Sequence, residues 1–266
     1  MVNAATKKVF VIGKSGFVAK QLASYFSEQD NFELSVISAR EFSRVDCGKD
    51  AICIHAGECG DRSYVNNNYD YQGFLERLNQ NILDSDFSKV VYLSSSVVYG
   101  DKNKAPSTET DALEQIDLYA KLKCKNETLF NFGNNTILRL SNLYSKESFT
   151  QNNIFGDIYK QLKEPTSDPV YIRNGSPVRD FLHVGDLSRA LLAVINKDVS
   201  GIYNVGSGDG LSAFDLATQI VQHKFPGKQV ISKNTSSTFS YQVQDITKFK
   251  NDTGWVPVYN LENLYD

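Results

Sequence analysis

Hydrophobic residues fall along this chain in short runs that alternate with stretches of helical spacing. Val9 to Ile12 is a β-branched run stopped by Gly13, and after Gly16 the apolar positions Phe17, Leu22, Tyr25 and Phe26 share one helix face. Phe32 to Ile37 predicts a second strand, Ala51 to Ile54 a third and Val90 to Leu93 a fourth, with a helix over 64–83 between the last two. A further helix is predicted over 112–132. It stops at Gly133-Asn134-Asn135, and Thr136 to Leu140 returns as a strand. Strands that alternate with helices predict a parallel, doubly wound sheet.

Beyond Tyr144 the alternation loses its regularity. Polar punctuation rises at Ser145-Lys146-Glu147-Ser148 and at Glu164-Pro165-Thr166-Ser167-Asp168-Pro169. The expected architecture is a Rossmann-type α/β lobe over residues 1–145, to which later segments return, and a smaller C-terminal α/β substrate-binding lobe over 146–266. No Gly/Ser linker parts the two, which predicts a ligand held between them.

Composition narrows the function classes. With 41% hydrophobic and 22% charged residues and a formal net charge of −3, the chain carries no electrostatic footprint for nucleic acid. Four cysteines (Cys47, Cys53, Cys59, Cys124) without CxxC spacing and only three histidines predict reduced thiols and no metal site. The absence of a signal-peptide core and of any apolar run of membrane-spanning length predicts a cytoplasmic protein that is not anchored to a membrane.

Three patterns carry chemistry. Gly13-Lys14-Ser15-Gly16-Phe17-Val18-Ala19 follows a strand and opens a helix. Small residues there admit a pyrophosphate to the backbone, and the helix start offers free N–H groups, so Gly13, Ser15, Gly16, Phe17 and Val18 are candidate cofactor contacts. The same glycines also suit a plain tight turn. The acidic residue that reads a ribose at the end of the second strand is missing, and Ser38-Ala39-Arg40 stands in its place. Ser38 and Arg40 can hold a 2′-phosphate, which favours NADP(H) and leaves NAD(H) as the alternative, although an arginine in such a loop can also be merely solvated. Tyr119 and Lys123, four apart, share a helix face, where an ammonium beside a phenol, together with an oxidised nicotinamide, brings the phenol toward acid–base range. Ser94-Ser95-Ser96 lies at the C-terminal end of a strand, where open α/β sheets bind ligands.

In this order the motifs resemble the extended short-chain dehydrogenase/reductase family, in its NAD(P)-dependent nucleotide-sugar epimerase, dehydratase and reductase branch. The resemblance extends to Ile54-His55-Ala56-Gly57, Leu138-Arg139-Leu140-Ser141-Asn142-Leu143-Tyr144, Arg179-Asp180-Phe181-Leu182-His183-Val184-Gly185-Asp186, Gly201 to Gly208 and Thr253-Gly254-Trp255-Val256-Pro257. It implies Ser95 as the catalytic hydroxyl with Ser96 as fallback, Tyr119 as acid/base, and Lys123 as its partner and ribose anchor. It further implies cofactor contacts at His55, Ala56, Gly57, Asp46 and its neighbour Cys47, and diphosphate contacts at Asn142 and Arg179. Arg139, after a buried strand, is expected in a structural salt bridge.

The departures from the family pattern matter too. Dehydratases of the branch place an Asp-Glu pair after the catalytic hydroxyl, whereas this chain has Ser96-Val97, which argues against dehydration. The Ser38-Ala39-Arg40 sequence tilts the expectation from a 4-epimerase, which recycles its cofactor, to an NADPH-dependent reductase of a nucleoside-diphosphate 4-keto-(6-deoxy) sugar. A catalytically silent NADP-binding sensor is the reading of another class. The resemblance also implies a homodimer, and a C-terminal lobe shorter than is usual in the branch.

Overall fold

The computed structural model describes residues 6–29, 31–48, 50–151, 153–164, 168–234 and 240–264. Its first half runs β1 (Lys7–Ile12), α1 (Phe17–Ser27), β2 (Phe32–Ile37), β3 (Ile52–His55), α2 (Arg62–Asn66), α3 (Asp70–Leu83), β4 (Lys89–Ser95), α4 (Leu118–Phe130) and β5 (Thr136–Leu140). The parallel sheet expected from the alternation is present.

Two predicted helices are shorter than their hydrophobic spacing suggests. The stretch 64–83 is interrupted at Asn67-Asn68-Tyr69, because the Asn67 amide folds back onto the Ser63 carbonyl (2.8 Å) and ends α2. The stretch 112–132 becomes helical only at Leu118. Asp117 caps that helix by accepting from the Ala120 N–H (2.9 Å), while Glu114 N–H is bound to the Val98 carbonyl (2.7 Å) outside it.

The second half runs β6 (Asn142–Tyr144), α5 (Ile154–Lys163), β7 (Val170–Asn174), β8 (Val178–His183), α6 (Val184–Lys197), β9 (Gly201–Val205), β10 (Gly210–Ser212), α7 (Ala213–Lys224), β11 (Val230–Asn234), β12 (Tyr241–Gln242) and α8 (Thr247–Thr253). Residues 165–167 of the second polar stretch lie outside the described residues. Not all of this half belongs to a second lobe. Strand β9 completes a six-stranded, all-parallel sheet of order β2-β1-β3-β4-β5-β9, with Thr136 to Leu140 in register with Gly201 to Val205.

Helices α1, α6 and α8 cover one face of this sheet through Leu22, Phe26, Leu191, Val194 and Phe249. Helices α3 and α4 cover the other through Leu75, Leu78, Ile82, Leu122 and Phe130. The strands are therefore apolar on both sides, as a parallel sheet requires. A separate core around Tyr144, Phe155, Ile158, Leu216 and Ile220 joins α5 and α7 to the β7–β11 pair. A small sheet of β10-β8-β12, with β6 on β8, stands beside it. The chain reverses direction across the large sheet between β1 and β3. Ligands of open α/β sheets bind at such a switch point.

Candidate active site

Both loops at the switch point are tightly built. Gly13 has φ 126°, and its N–H donates to the Ile37 carbonyl (2.8 Å). A Cβ there would lie 2.4 Å from the Ala56 carbonyl oxygen, so only glycine lets the loops after β1 and β3 meet. Gly16 N–H closes the turn on the Gly13 carbonyl (2.7 Å), and α1 begins at Phe17 with no side-chain cap. The N–H groups of its first turn are left for an external acceptor. A Cβ at Gly16 would stand 3.1 Å from the Gly13 oxygen. The turn is thus a close-packed backbone cradle of the kind a pyrophosphate needs, and it fits a dinucleotide.

Across from the turn, β4 ends at Ser95, whose hydroxyl accepts the Val97 N–H (3.3 Å). Helix α4 is set against it from its first residues. Its Asp117 cap is held by Arg62 (2.5 Å) and by the Asn66 amide (2.8 Å), and Tyr119 N–H donates to Asn66 Oδ1 (2.9 Å). These bonds place Tyr119 at the mouth of the sheet. Lys123, one turn further in and only 5% exposed, puts its Nζ 5.8 Å from the centre of the Tyr119 ring and 2.8 Å from the Leu93 carbonyl.

A second anion-to-cation contact was not evident from the motifs. Glu58 Oε2 lies 2.8 Å from Lys123 Nζ, and both side chains are buried. Glu58 Oε1 accepts from the Asn126 amide (2.8 Å), Asn126 Oδ1 accepts from Asn79 (2.9 Å), and Asn79 Oδ1 meets His55 Nε2 (2.9 Å). His55 Nδ1 accepts the Gly57 N–H (3.3 Å), so the proton of this ring sits on Nε2. The motif around His55 ends one residue before Glu58. A carboxylate within reach of the YxxxK helix was the only available signal.

Burial pushes the His55 imidazole down and keeps it neutral. Burial pushes the Glu58 carboxyl up, but the Lys123 ammonium above all offsets this and holds it below the ordinary value. Burial works against the Lys123 ammonium, while Glu58 and then Tyr119 keep it above the usual lysine range. At the Tyr119 phenol, burial raises the pKa, Lys123 pulls it down and Glu58 pushes it back up, which leaves it above its ordinary value. The nearby Ser95 hydroxyl also favours the phenolate, with a smaller effect.

A cavity of about 720 Å³ opens between the large sheet and the second lobe. Its walls bring together Gly16, Phe17, Val18, His55, Ala56, Ser95, Tyr119, Lys123 and Asn142 from the sequence-derived set. Arg62, Asn153 and Phe155 join them. Gly13, Ser15, Ser38, Arg40, Asp46, Cys47 and Gly57 do not line it. Gly13 packs on the Ala56 backbone and Gly57 against Ala39 and Leu78, Arg40 and Asp46 are exposed, and Cys47 is buried with its thiol pushed up by burial. Ser96 is buried at the start of a 3₁₀ turn and does not line the cavity, whereas Ser95 does.

Two arginines also find their places. Arg179, expected at the diphosphate, does not reach the cavity. Its guanidinium donates to the Ser240 hydroxyl (2.7 Å) and the Val178 carbonyl (2.8 Å), with Asp101 at 4.0 Å. Arg139 forms the buried salt bridge expected of it, with Glu127 at 2.7 Å. Among the described residues no cluster of three or more His, Cys, Asp or Glu could hold a metal ion. No helix among them is long and apolar enough to cross a membrane.

Residues 9–206 match the NAD dependent epimerase/dehydratase family, and the chain belongs to that family. A putative UDP-glucose 4-epimerase of Methanocaldococcus jannaschii is 29% identical over 191 residues, 66% of this chain and 60% of that protein. The UDP-glucose 4-epimerase of Halalkalibacterium halodurans is 25% identical over 213 residues, 70% of this chain and 63% of its own length. The match therefore spans less than two thirds of either relative. The same fold is seen in RMD from Pseudomonas aeruginosa complexed with NADPH, at TM-score 0.79 and 19% identity, covering 97% of this chain and 96% of that one.

Proposed function

We propose that the protein reduces the keto group of a nucleoside-diphosphate 4-keto-6-deoxy sugar with NADPH. The observation that carries this reading is the shared cavity, which brings Ser95, Tyr119 and Lys123 together with the start of α1. In this reading the first-turn N–H groups of α1 hold the pyrophosphate, and Ser38 and Arg40 receive the 2′-phosphate at the end of β2. Lys123 would hold the nicotinamide ribose, and the cofactor, when bound, would supply the hydride.

The chain's own groups do the rest. The Ser95 hydroxyl donates to the substrate carbonyl oxygen and orients it. Tyr119 passes its phenolic proton to that oxygen as the carbon takes up hydride, and the resulting phenolate faces the Lys123 ammonium. A phenol held above its ordinary pKa is a proton donor in waiting, which suits this direction. On the second lobe, Asn142 and the start of α5 at Asn153 and Ile154 offer amide groups to the sugar diphosphate.

A 4-epimerase is the second reading, favoured by the names of the sequence relatives. It would need Tyr119 first as a base. Absorbance of the reduced nicotinamide during incubation with a nucleoside-diphosphate 4-keto-6-deoxy sugar separates the two. Steady loss of NADPH supports the reductase. Interconversion of UDP-glucose and UDP-galactose without net loss of cofactor replaces it with the epimerase.

A further inference from the structure

Glu58 follows the strand β3 in a loop pressed against the sheet, since a Cβ on Gly57 would already meet Ala39 and Leu78 at 3.0 and 3.1 Å. Its side chain turns under α4. Lys123 and Asn126 are three apart on that helix, so one face presents an ammonium to one carboxylate oxygen and an amide to the other, each at 2.8 Å. Asn126 is itself fixed through Asn79 to His55. The carboxylate is 7% exposed and has every reason to stay where it is, because a buried charge without its partner is costly.

The net charge of the cluster makes this pair consequential. With Glu58 ionised and Lys123 protonated, the buried group is neutral while Tyr119 keeps its proton. Loss of that proton leaves a net negative charge inside the protein, where it is poorly solvated. Without Glu58, the same ionisation would take the cluster from positive to neutral. The other titratable groups facing Glu58 do not alter this count: His55 on β3 and the phenols of Tyr92 on β4 and Tyr71 on α3 are neutral. Cys59 stands beside Tyr119, and Glu127 of α4, further along, acts on Lys123 in the same sense as Glu58.

We propose that Glu58 is a positioning residue of this site: its ion pair anchors the Lys123 ammonium and offsets its field at Tyr119, so that the phenol retains its proton and the site is set to donate it. The inference rests on the reading of Tyr119 as the proton donor, but its test needs neither substrate nor cofactor.

The chain has 14 tyrosines, so the ionisation of Tyr119 is isolated as the difference in tyrosinate absorbance between each protein and its Tyr119→Phe counterpart, titrated from about pH 7 to about pH 12. Glu58→Gln should lower the Tyr119 midpoint by about one pH unit or more, and Glu58→Asp should restore it. Glu58→Gln/Lys123→Met, which leaves no buried charge unpaired, should titrate within about half a unit of the wild type. An unchanged midpoint in Glu58→Gln overturns the proposal. So does a double variant whose midpoint rises by more than about one unit, as removal of an unopposed ammonium would cause. The double variant against wild type decides the matter alone if Glu58→Gln does not fold. A failed NADPH assay alongside the expected titration would reject the substrate assignment and leave Glu58 in its role.

Discussion

The carbonyl oxygen of Ala56 occupies the space where a side chain on Gly13 would begin: a Cβ built on Gly13 falls 2.4 Å from it. The loops after β1 and β3 meet there, and the contact sets the height of the cofactor cradle above the sheet. Gly13→Ala should therefore cost on the order of 1–3 kcal/mol through the clash and the positive φ. Thermal unfolding should show the loss. Titration with NADPH and NADH should show weakened binding of both.

Tyr119→Phe keeps the ring and removes the proton. Turnover should fall by roughly 10²–10⁴-fold, while cofactor affinity measured by nicotinamide fluorescence stays near wild type. Retention of full activity would remove Tyr119 from the chemistry.

Arg40 is exposed in the loop that follows β2. Arg40→Ala should weaken NADPH by roughly tenfold or more, the worth of a charge-assisted hydrogen bond, and leave NADH unchanged. Equal weakening of both cofactors would argue against a 2′-phosphate contact.

Asp117 caps α4 and holds Arg62 and Asn66. Burial pushes its carboxyl up, but the Ala120 N–H, Asn66 and Arg62 together hold it below the ordinary value. Asp117→Ala should cost about 0.5–2 kcal/mol at neutral pH. A depressed folded-state pKa gives stability that is present above the unfolded value near ~3.8 and is lost as pH falls through the folded value. The difference between wild type and variant in urea unfolding should therefore shrink as the pH is lowered below about 4.

Arg139 donates to Glu127 through Nε and Nη2, and to the Tyr99 phenol through Nη1 (2.7 Å). Glu127→Ala strands a buried guanidinium and should cost about 3–5 kcal/mol. Glu127→Met/Arg139→Met should recover most of that loss in denaturant unfolding, since it leaves no charge unpaired.

What could be read from the chain alone was local. The β-branched runs at Val9, Phe32 and Thr136 became strands close to their predicted bounds, because a parallel sheet buries both strand faces and leaves continuous apolar stretches. The glycine turn was legible from Gly13 and Gly16, and the Tyr119–Lys123 face from helical spacing. Ser95 could be selected only through the family resemblance. Tertiary structure decided the rest. Asn67 ends α2 through its own side chain, against a hydrophobic spacing that runs on. Strand β9 joins the sheet 61 residues after β5 ends, counting Leu140 to Gly201. Arg179 is drawn to Ser240 and Asp101, and Glu58 finds Lys123 and Asn126 on a helix 65 and 68 positions away. Spacing reports which residues share a face of one element. Which charge faces which across two elements depends on how the elements pack, and here that packing governs the proton on Tyr119.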